Sequence, residues 1–181
     1  RMGADFQRNF NEAIGLGYAG ISHYSSSYNK NINSFLYKMG LAQIYFWSSY
    51  AGSTTVTDTL FSVRYVMSDP EISRLDDDGK IISWCSVPYS HYITAAQVDT
   101  AVLYENPYVL PPCFAVSSRL KDFAWQANGV ESQNHLLNCM LDTDASYFIK
   151  LSEDSYGAVS LEKDAAFIEY TVTAPESGPL Y

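Results

Sequence analysis

The chain has 181 residues, of which 47% are hydrophobic and 17% are charged, and its formal net charge is −9. This composition is sufficient for one hydrophobic core and excludes a disordered chain, while the acidic balance disfavours binding to nucleic acid or anionic lipid through bulk charge. No apolar run approaches the roughly 18 residues that cross a bilayer, so no membrane-spanning helix is predicted within these residues.

The first part of the chain predicts short strands interrupted by helices. The clearest helix covers residues 30–39, because apolar residues recur there at i, i+3, i+4 and i+7. Asn29 is its predicted N-cap, and Gly40 stands where a helix C-terminus favours glycine. A short helix is predicted at 54–60, and a short helix or an irregular lead-in at 5–14. Strands are predicted at 21–25, 43–47 and 61–67.

The rest of the chain predicts further strands and one long helix. That helix covers residues 130–141 and carries Leu136, Leu137, Met140 and Leu141 on one face. Strands are predicted at 80–84, 101–104, 113–117, 147–152, 157–162 and 166–172. These elements predict an α+β fold with helices packed on a mixed sheet and an antiparallel β segment at the C-terminus.

The two ends of the sequence predict a piece of a longer protein. The chain starts at Arg1 without a targeting segment, and it stops at Tyr181 just after a Pro/Gly turn. We therefore expect residues 1–181 to form a single domain, with residues 175–181 beginning a further β-rich module.

Residues 15–20 match the GxGxxG pattern of dinucleotide-binding sites. Such a site requires a strand before the glycines and a helix after them, because the first amides of that helix hold the pyrophosphate. Here polar residues precede the glycines and a strand-like run follows at 21–25. The sequence therefore favours a glycine turn over a nucleotide site.

Other short patterns also favour structural interpretations. The acidic run 76–78 lacks the spacing of a calcium loop, whose twelfth position would be Val87, so a hairpin turn is favoured. His135 and Cys139 share a helix face, but two ligands do not complete a zinc site, and packing is favoured. The three cysteines match no disulfide or metal framework. We predict no catalytic residue, no metal ligand and no cofactor.

Aromatic residues mixed with serine and asparagine are concentrated at positions 24–50. Flat rings beside hydroxyl and amide groups are typical of sugar-binding surfaces, because the ring covers the apolar face of the sugar. The alternative is that these rings form the hydrophobic core between the first helix and the sheet.

Five segments, taken in order, resemble the YfhO family of bacterial membrane proteins. They are GYAGISHYSSS at 17–27, TDTLFSVRYVM at 57–67, YENPYVLPPCFAV at 104–116, DFAWQAN followed by the long helix at 122–141, and GPLY at 178–181. No segment is specific alone, and the ordered set carries the resemblance.

The resemblance implies a polytopic membrane protein of Gram-positive and related bacteria that looks like a lipid-linked-sugar glycosyltransferase acting on teichoic acid or another envelope polymer. Its catalytic acid would lie in a loop that no position here matches, so this chain is expected to be inactive alone. The chain is expected on the outer face of the cytoplasmic membrane, positioning an acceptor or serving as a scaffold. Its expected partners are the transmembrane region of the same protein and a cell-wall glycopolymer.

The surface chemistry and the family pattern together give six candidate sugar-contact residues. They are Tyr24, Ser25, Tyr28, Trp47, Glu105 and Asn106. The alternative function is an independent carbohydrate- or protein-binding module, whereas a free-standing enzyme is disfavoured because no catalytic constellation is recognisable.

Overall fold

A computed structural model describes residues 1–6, 11–44, 46–69, 74–75, 81–82 and 89–150, and it has the predicted α+β architecture. The described strands are β1 (Met2–Ala4), β2 (His23–Tyr24), β3 (Gln43–Ile44), β4 (Trp47–Ser48), β5 (Tyr65–Ser68), β6 (Arg74–Leu75), β7 (Ile81–Ile82), β8 (Ile93–Val98) and β9 (Ala101–Glu105). The described α-helices are α1 (Glu12–Leu16), α2 (Lys30–Lys38), α3 (Thr55–Leu60) and α4 (Gly129–Leu141). Two 3₁₀ helices cover Tyr89–His91 and Ser118–Asp122.

The main sheet has four strands in the order β1-β5-β9-β8. Strands β1 and β5 are parallel, with Met2 opposite Tyr65, and the β5–β9 and β9–β8 pairs are antiparallel. Strand β8 forms an edge, and all six of its residues are exposed. The predicted mixed sheet is therefore confirmed, with its one parallel pair joining segments about sixty residues apart in the chain.

A smaller sheet has the order β2-β4-β3, with both pairs antiparallel. The single strand predicted at 43–47 is wrong, because the chain reverses there and Ile44 lies opposite Trp47. The local pattern at 43–47 predicts one strand, but the chain forms the two strands β3 and β4 there. A further two-stranded pair joins β6 and β7.

The predicted helices at 30–39, 54–60 and 130–141 are confirmed with shifts of one residue at their ends. Side chains cap all three. Asn29 Oδ1 accepts hydrogen bonds from two amides at the start of α2, and Asn128 Oδ1 accepts one from Glu131. Thr54 and Thr57 exchange reciprocal side-chain-to-amide bonds at the start of α3, forming a capping box in which threonine replaces the usual Glu or Gln.

The core is centred on Tyr50, Val63, Val66, Tyr89 and Tyr92. Tyr50 is the core residue that belongs to the aromatic run at 24–50, and Trp47 of the same run is also buried, as the alternative of a core role expects. Gly3 makes room for this core, because a Cβ atom there would lie 2.6 Å from the Tyr50 ring.

Helix α4 is joined to the rest of the domain by close backbone contact and buried hydrogen bonds. A Cβ atom at Gly129 would lie 2.5 Å from the Cα atom of Gly40, so the start of α4 touches the end of α2. The amide of the fully buried Gln133 donates to Met39 O at 2.8 Å and accepts from Thr54 Oγ1 at 2.5 Å. Three helices thus meet at one buried side chain.

Several predicted elements differ from the structure. The strand at 61–67 begins only at Tyr65, because Ser62 has a φ of 58° and turns the chain after α3. Residues 113–117 and 147–150 are irregular, and strand β8 was not predicted. The turn at 76–79 and the predicted strands at 157–162 and 166–172 lie outside the described residues, as does the module at 175–181.

Candidate functional site

The β2–β4 region brings several of the predicted sugar-contact residues together. Tyr24 is 44% exposed and lies opposite Trp47 in the strand register. The Ser25 amide donates to Phe46 O at 3.0 Å, and the Tyr28 ring meets the Phe46 ring edge-on at 5.2 Å. We call the surface formed by Tyr24, Ser25, Tyr28 and Phe46 the hairpin surface. Phe46, which is 42% exposed, belongs to the aromatic run but was not among the six predicted contacts.

Trp47 and Asn106 do not present their side chains at the surface. Trp47 is buried, so its ring has no exposed face on which a sugar ring would stack. Asn106 is also buried, and its amide donates to Val63 O at 3.1 Å and accepts from the Tyr108 amide at 2.9 Å. The protein covers the ring of Trp47, and the backbone bonds the polar atoms of Asn106. Both side chains therefore stabilise the fold.

Glu105 belongs to the main sheet and not to the hairpin surface. It ends β9, where it lies opposite Tyr65 on one side and Ile93 on the other. The predicted set thus divides between two sheets. Tyr24, Ser25 and Tyr28 form one group, and Glu105 lies in the other sheet.

The hairpin surface is supported from behind by a polar network. His23 Nδ1 lies 3.2 Å from Ser48 Oγ, which donates to the Ile21 carbonyl at 2.9 Å. The Tyr50 amide donates to Ser22 Oγ at 2.9 Å. These bonds hold the segment before Tyr24 against β4, so the position of the exposed ring is fixed by the backbone on both sides.

The structure also contains a buried carboxylate that the sequence reasoning missed. Asp58 lies on α3 with no exposed surface, and its Oδ2 accepts hydrogen bonds from Tyr50 Oη and Tyr92 Oη, both at 2.7 Å. Among the described residues, Oδ1 has no hydrogen bond of ordinary geometry, and the Ser53 hydroxyl is close enough to the carboxyl to affect its pKa. No local pattern in the sequence signals this site, because Tyr50 and Tyr92 reach Asp58 from outside α3.

Burial raises the pKa of the Asp58 carboxyl to about 6, although the hydrogen bonds from Tyr50, Tyr92 and Ser53 act in the opposite direction. Burial and the Asp58 charge raise the pKa of the Tyr50 phenol well above its ordinary value. The Tyr50 phenol therefore remains a protonated donor. Because Asp58 has no exposed surface, the arrangement acts as a structural network and not as a reaction centre.

A half-buried hydroxyl and imidazole meet beside this network. Thr55 Oγ1 lies 2.5 Å from His91 Nε2, and the His91 ring packs against Tyr92 at 4.6 Å. A nucleophile would also need oxyanion donors and a cavity for substrate. The contact joins the 3₁₀ helix to α3.

The predicted packing role of His135 and Cys139 agrees with their contacts. Cys139 is buried with its Sγ 3.8 Å from His135 Nε2, and the His135 ring stacks on Phe123 at 5.6 Å. Across the part of the chain that the structure describes, no three His, Cys, Asp or Glu side chains are grouped to hold a metal ion.

The GxGxxG segment has the geometry of a helix end. Gly15 lies inside α1, and Gly17 ends that helix with a φ of 75°. The chain then runs through a loop into β2, so the element after the glycines is a strand. The strand predicted after the glycines is therefore confirmed.

Comparison with known proteins gives one family match. The model of the family described as "Bacterial membrane protein YfhO" matches residues 1–180. Neither a curated protein nor a solved structure matches the chain. Within the described residues, every helix is too short or too polar to cross a bilayer.

Proposed function

Because the chain belongs to the YfhO family of bacterial membrane proteins, we propose that it is an extracytoplasmic domain of a membrane protein that glycosylates a cell-envelope polymer. The donor is a lipid-linked sugar, and the acceptor is teichoic acid or a related glycopolymer. The domain positions the acceptor, and the chemistry lies in the membrane part of the same protein. The glycosyltransferase role and the outer location come from the sequence resemblance described above.

The hairpin surface is the observation that carries the acceptor-positioning role. The rings of Tyr24 and Phe46 are both more than two-fifths exposed, and Tyr28 packs edge-on against Phe46. Ring faces cover the apolar C–H face of a sugar, and neighbouring hydroxyls bond its polar groups. Ser25 Oγ and the tyrosine hydroxyls supply such groups, and Ser25 Oγ already accepts from the Ser27 amide at 3.2 Å.

The test is a titration of the 181-residue chain with short teichoic-acid and N-acetylhexosamine oligomers, followed by protein NMR. Saturable shifts at the hairpin surface are expected. Because one aromatic contact contributes about 0.5–1.5 kcal/mol, Tyr24→Ala and Phe46→Ala should each weaken binding by about two- to tenfold.

Tyr37→Ala is the matched control, since Tyr37 is an equally large, more exposed tyrosine on α2 and outside the hairpin surface. It should leave the titration unchanged. The absence of saturable shifts at millimolar ligand would refute acceptor binding by this chain, as would an equal loss of binding in the control.

A further inference from the structure

Strand β8 is an open edge of the main sheet. It pairs with β9 on one side, and none of the described strands lies on its other side. All six of its residues are exposed, including Ile93 at 57% and Val98 at 72%. Such an edge presents a row of backbone N–H and C=O groups with which a further strand can pair.

The side chains of β8 do little to prevent such pairing. Its sequence, ITAAQV, contains no charged residue and no proline, which are the residues that proteins commonly place on edge strands to block a second strand. Its one irregularity is a bulge, because the register with β9 passes from Thr94 directly to Ala96. The extra residue, Ala95, has the smallest side chain that a bulge can carry without being glycine, so it leaves the backbone accessible.

The bulge also decides which side chains share a face of β8. Five positions of the strand are matched with residues of β9, and successive positions point to opposite faces of the sheet. Ile93, Ala96 and Val98 therefore share one face, and Thr94 and Gln97 share the other. Without the bulge, Ile93 and Val98 would lie on opposite faces, because an odd number of residues separates them in number.

The five matched positions of β8 have the same chemical order when they are read from either end. The order is β-branched aliphatic, polar, alanine, polar, β-branched aliphatic. A two-fold axis perpendicular to the sheet places the first position opposite the fifth and the central position opposite itself. Ile93 then lies opposite Val98 of the second copy, Thr94 opposite Gln97, and Ala96 opposite Ala96. Each pair is matched in polarity and lies on one face.

We propose that β8 pairs in antiparallel fashion with β8 of a second copy of this chain, so that the two four-stranded sheets become one continuous sheet. The pairing satisfies the open backbone groups and forms two contacts between Ile93 and Val98, of the cross-strand type that stabilises sheets. It stops at two copies, because each copy has one β8. The inference is independent of sugar binding, since the hairpin surface belongs to the other sheet.

The net charge of −9 on each copy does not prevent this contact. The strand itself is uncharged, and Asp99, which follows it, comes to the end of the second copy's β8 that follows the half-buried His91. At about 3.4 Å per residue the two Asp99 residues lie about 20 Å apart along the pair, which is more than the screening length of about 8 Å at physiological ionic strength. The pairing thus brings no like charges together.

The small contact predicts a weak dimer. Five residue pairs bury less than the roughly 800 Å² per partner of a stable interface, so we expect a dissociation constant of about 10–500 µM. The test is sedimentation velocity of the 181-residue chain from about 5 µM to about 1 mM, combined with amide hydrogen exchange. A reversible equilibrium between monomer and dimer is expected, with protection of the β8 amides that increases with protein concentration.

Ala96→Lys should weaken the dimer by about fivefold, because it places two ammonium groups opposite each other at the two-fold axis. Ala127→Lys is the matched control, since it makes the same change at an exposed alanine outside the strands. The control should dimerise like the parent chain, and it also corrects for the change in net charge.

An exchange of charges tests the register itself. Thr94→Lys with Gln97→Lys places lysine opposite lysine at two positions, and Thr94→Glu with Gln97→Glu does the same with carboxylates, so each double variant alone should dimerise about tenfold more weakly. An equal mixture of the two places lysine opposite glutamate and should restore association to about the parent level. Mixing cannot repair a variant that fails to fold, and far-UV circular dichroism checks folding of each.

Four results would overturn the proposal. They are a monomer without β8 protection over the whole concentration range, a dimer that Ala96→Lys and Ala127→Lys weaken equally, a mixture of folded double variants that does not associate, and a monomer whose β8 amides are protected at every concentration. In the last case another part of the same chain covers the edge. None of these results bears on the sugar titration, which reports on the hairpin surface.

Discussion

Asp58→Asn should remove a pH dependence of stability that the buried network creates. The amide keeps the shape of the carboxyl, and its oxygen accepts the same bonds from Tyr50 and Tyr92. It cannot ionise. The variant therefore keeps the hydrogen bonds of the network and removes only the charge that Asp58 gains on ionisation.

The magnitude follows from the difference between the folded and unfolded pKa values of Asp58. The pKa of Asp58 is about 6 in the folded chain, and 3.8 is the value for an aspartate without these surroundings, as in the unfolded chain. The folded state thus binds the proton more tightly, so the network is most favourable below about pH 4 and loses stability as pH rises to about 6. The shift corresponds to about 3 kcal/mol, on the scale of 1.36 kcal/mol per pKa unit.

The assay is urea unfolding of both proteins from about pH 4 to about pH 7, followed by tryptophan fluorescence and circular dichroism. The free energy of unfolding of Asp58→Asn, minus that of the parent, should rise by about 2.5 kcal/mol across this range, because the unfolded carboxyl is already partly ionised at pH 4. Other groups, including Asp5 with its burial-raised pKa, cancel in this difference because both proteins contain them.

Asp99→Asn is the matched control for the same chemical change at an exposed site. Asp99 has a φ of 51°, a conformation that asparagine adopts as readily as aspartate. Its difference from the parent is the baseline for the same comparison. A difference for Asp58→Asn that follows this baseline, or one that falls as pH rises, would refute the reasoning.

Two further predictions concern the junction at the start of α4. Gly129→Ala should lower the free energy of unfolding by about 1–3 kcal/mol, because the new Cβ atom would meet the Gly40 backbone, which cannot move aside as a side chain can. Gly15→Ala is its control, because a Cβ atom there would have nothing within 4 Å. This helical alanine should raise the free energy of unfolding by about 0.5–1 kcal/mol. Equal effects of the two substitutions in thermal unfolding would contradict the packing argument. Gln133→Leu should cost about 2–4 kcal/mol in chemical denaturation, because it leaves the Thr54 hydroxyl and a carbonyl buried without their partner. An unchanged stability would show that water replaces those bonds.

The sequence predicted the hairpin surface only in part. The aromatic run at 24–50 indicated a candidate site, and the structure places Tyr24 and Tyr28 with Phe46 at the surface while burying Trp47 and Tyr50. A residue's type does not determine its burial, because exposure depends on which distant segment covers it. The contact between the Trp125 and Phe35 rings likewise forms only after folding.

The buried acid shows the limit of local patterns most clearly. Asp58 follows a threonine-rich helix start, and nothing in its neighbours along the chain indicates a carboxyl without exposed surface. Its environment is made by Tyr50 and Tyr92, which come from before α3 and from far beyond it. Desolvation and the raised pKa are consequences of that assembly.

The sequence by itself determined the α+β class and the helices at 30–39, 54–60 and 130–141. Their signals lie within four residues of one another: apolar spacing along one face, the Asn29 cap and the threonine-rich start of the helix at 54–60. The tertiary structure alone decided the parallel pairing of β1 with β5, the reversal between β3 and β4, and the exposed edge at β8. Strand pairing joins segments far apart in the chain, and hydrogen bonds between such segments have no counterpart in the local sequence.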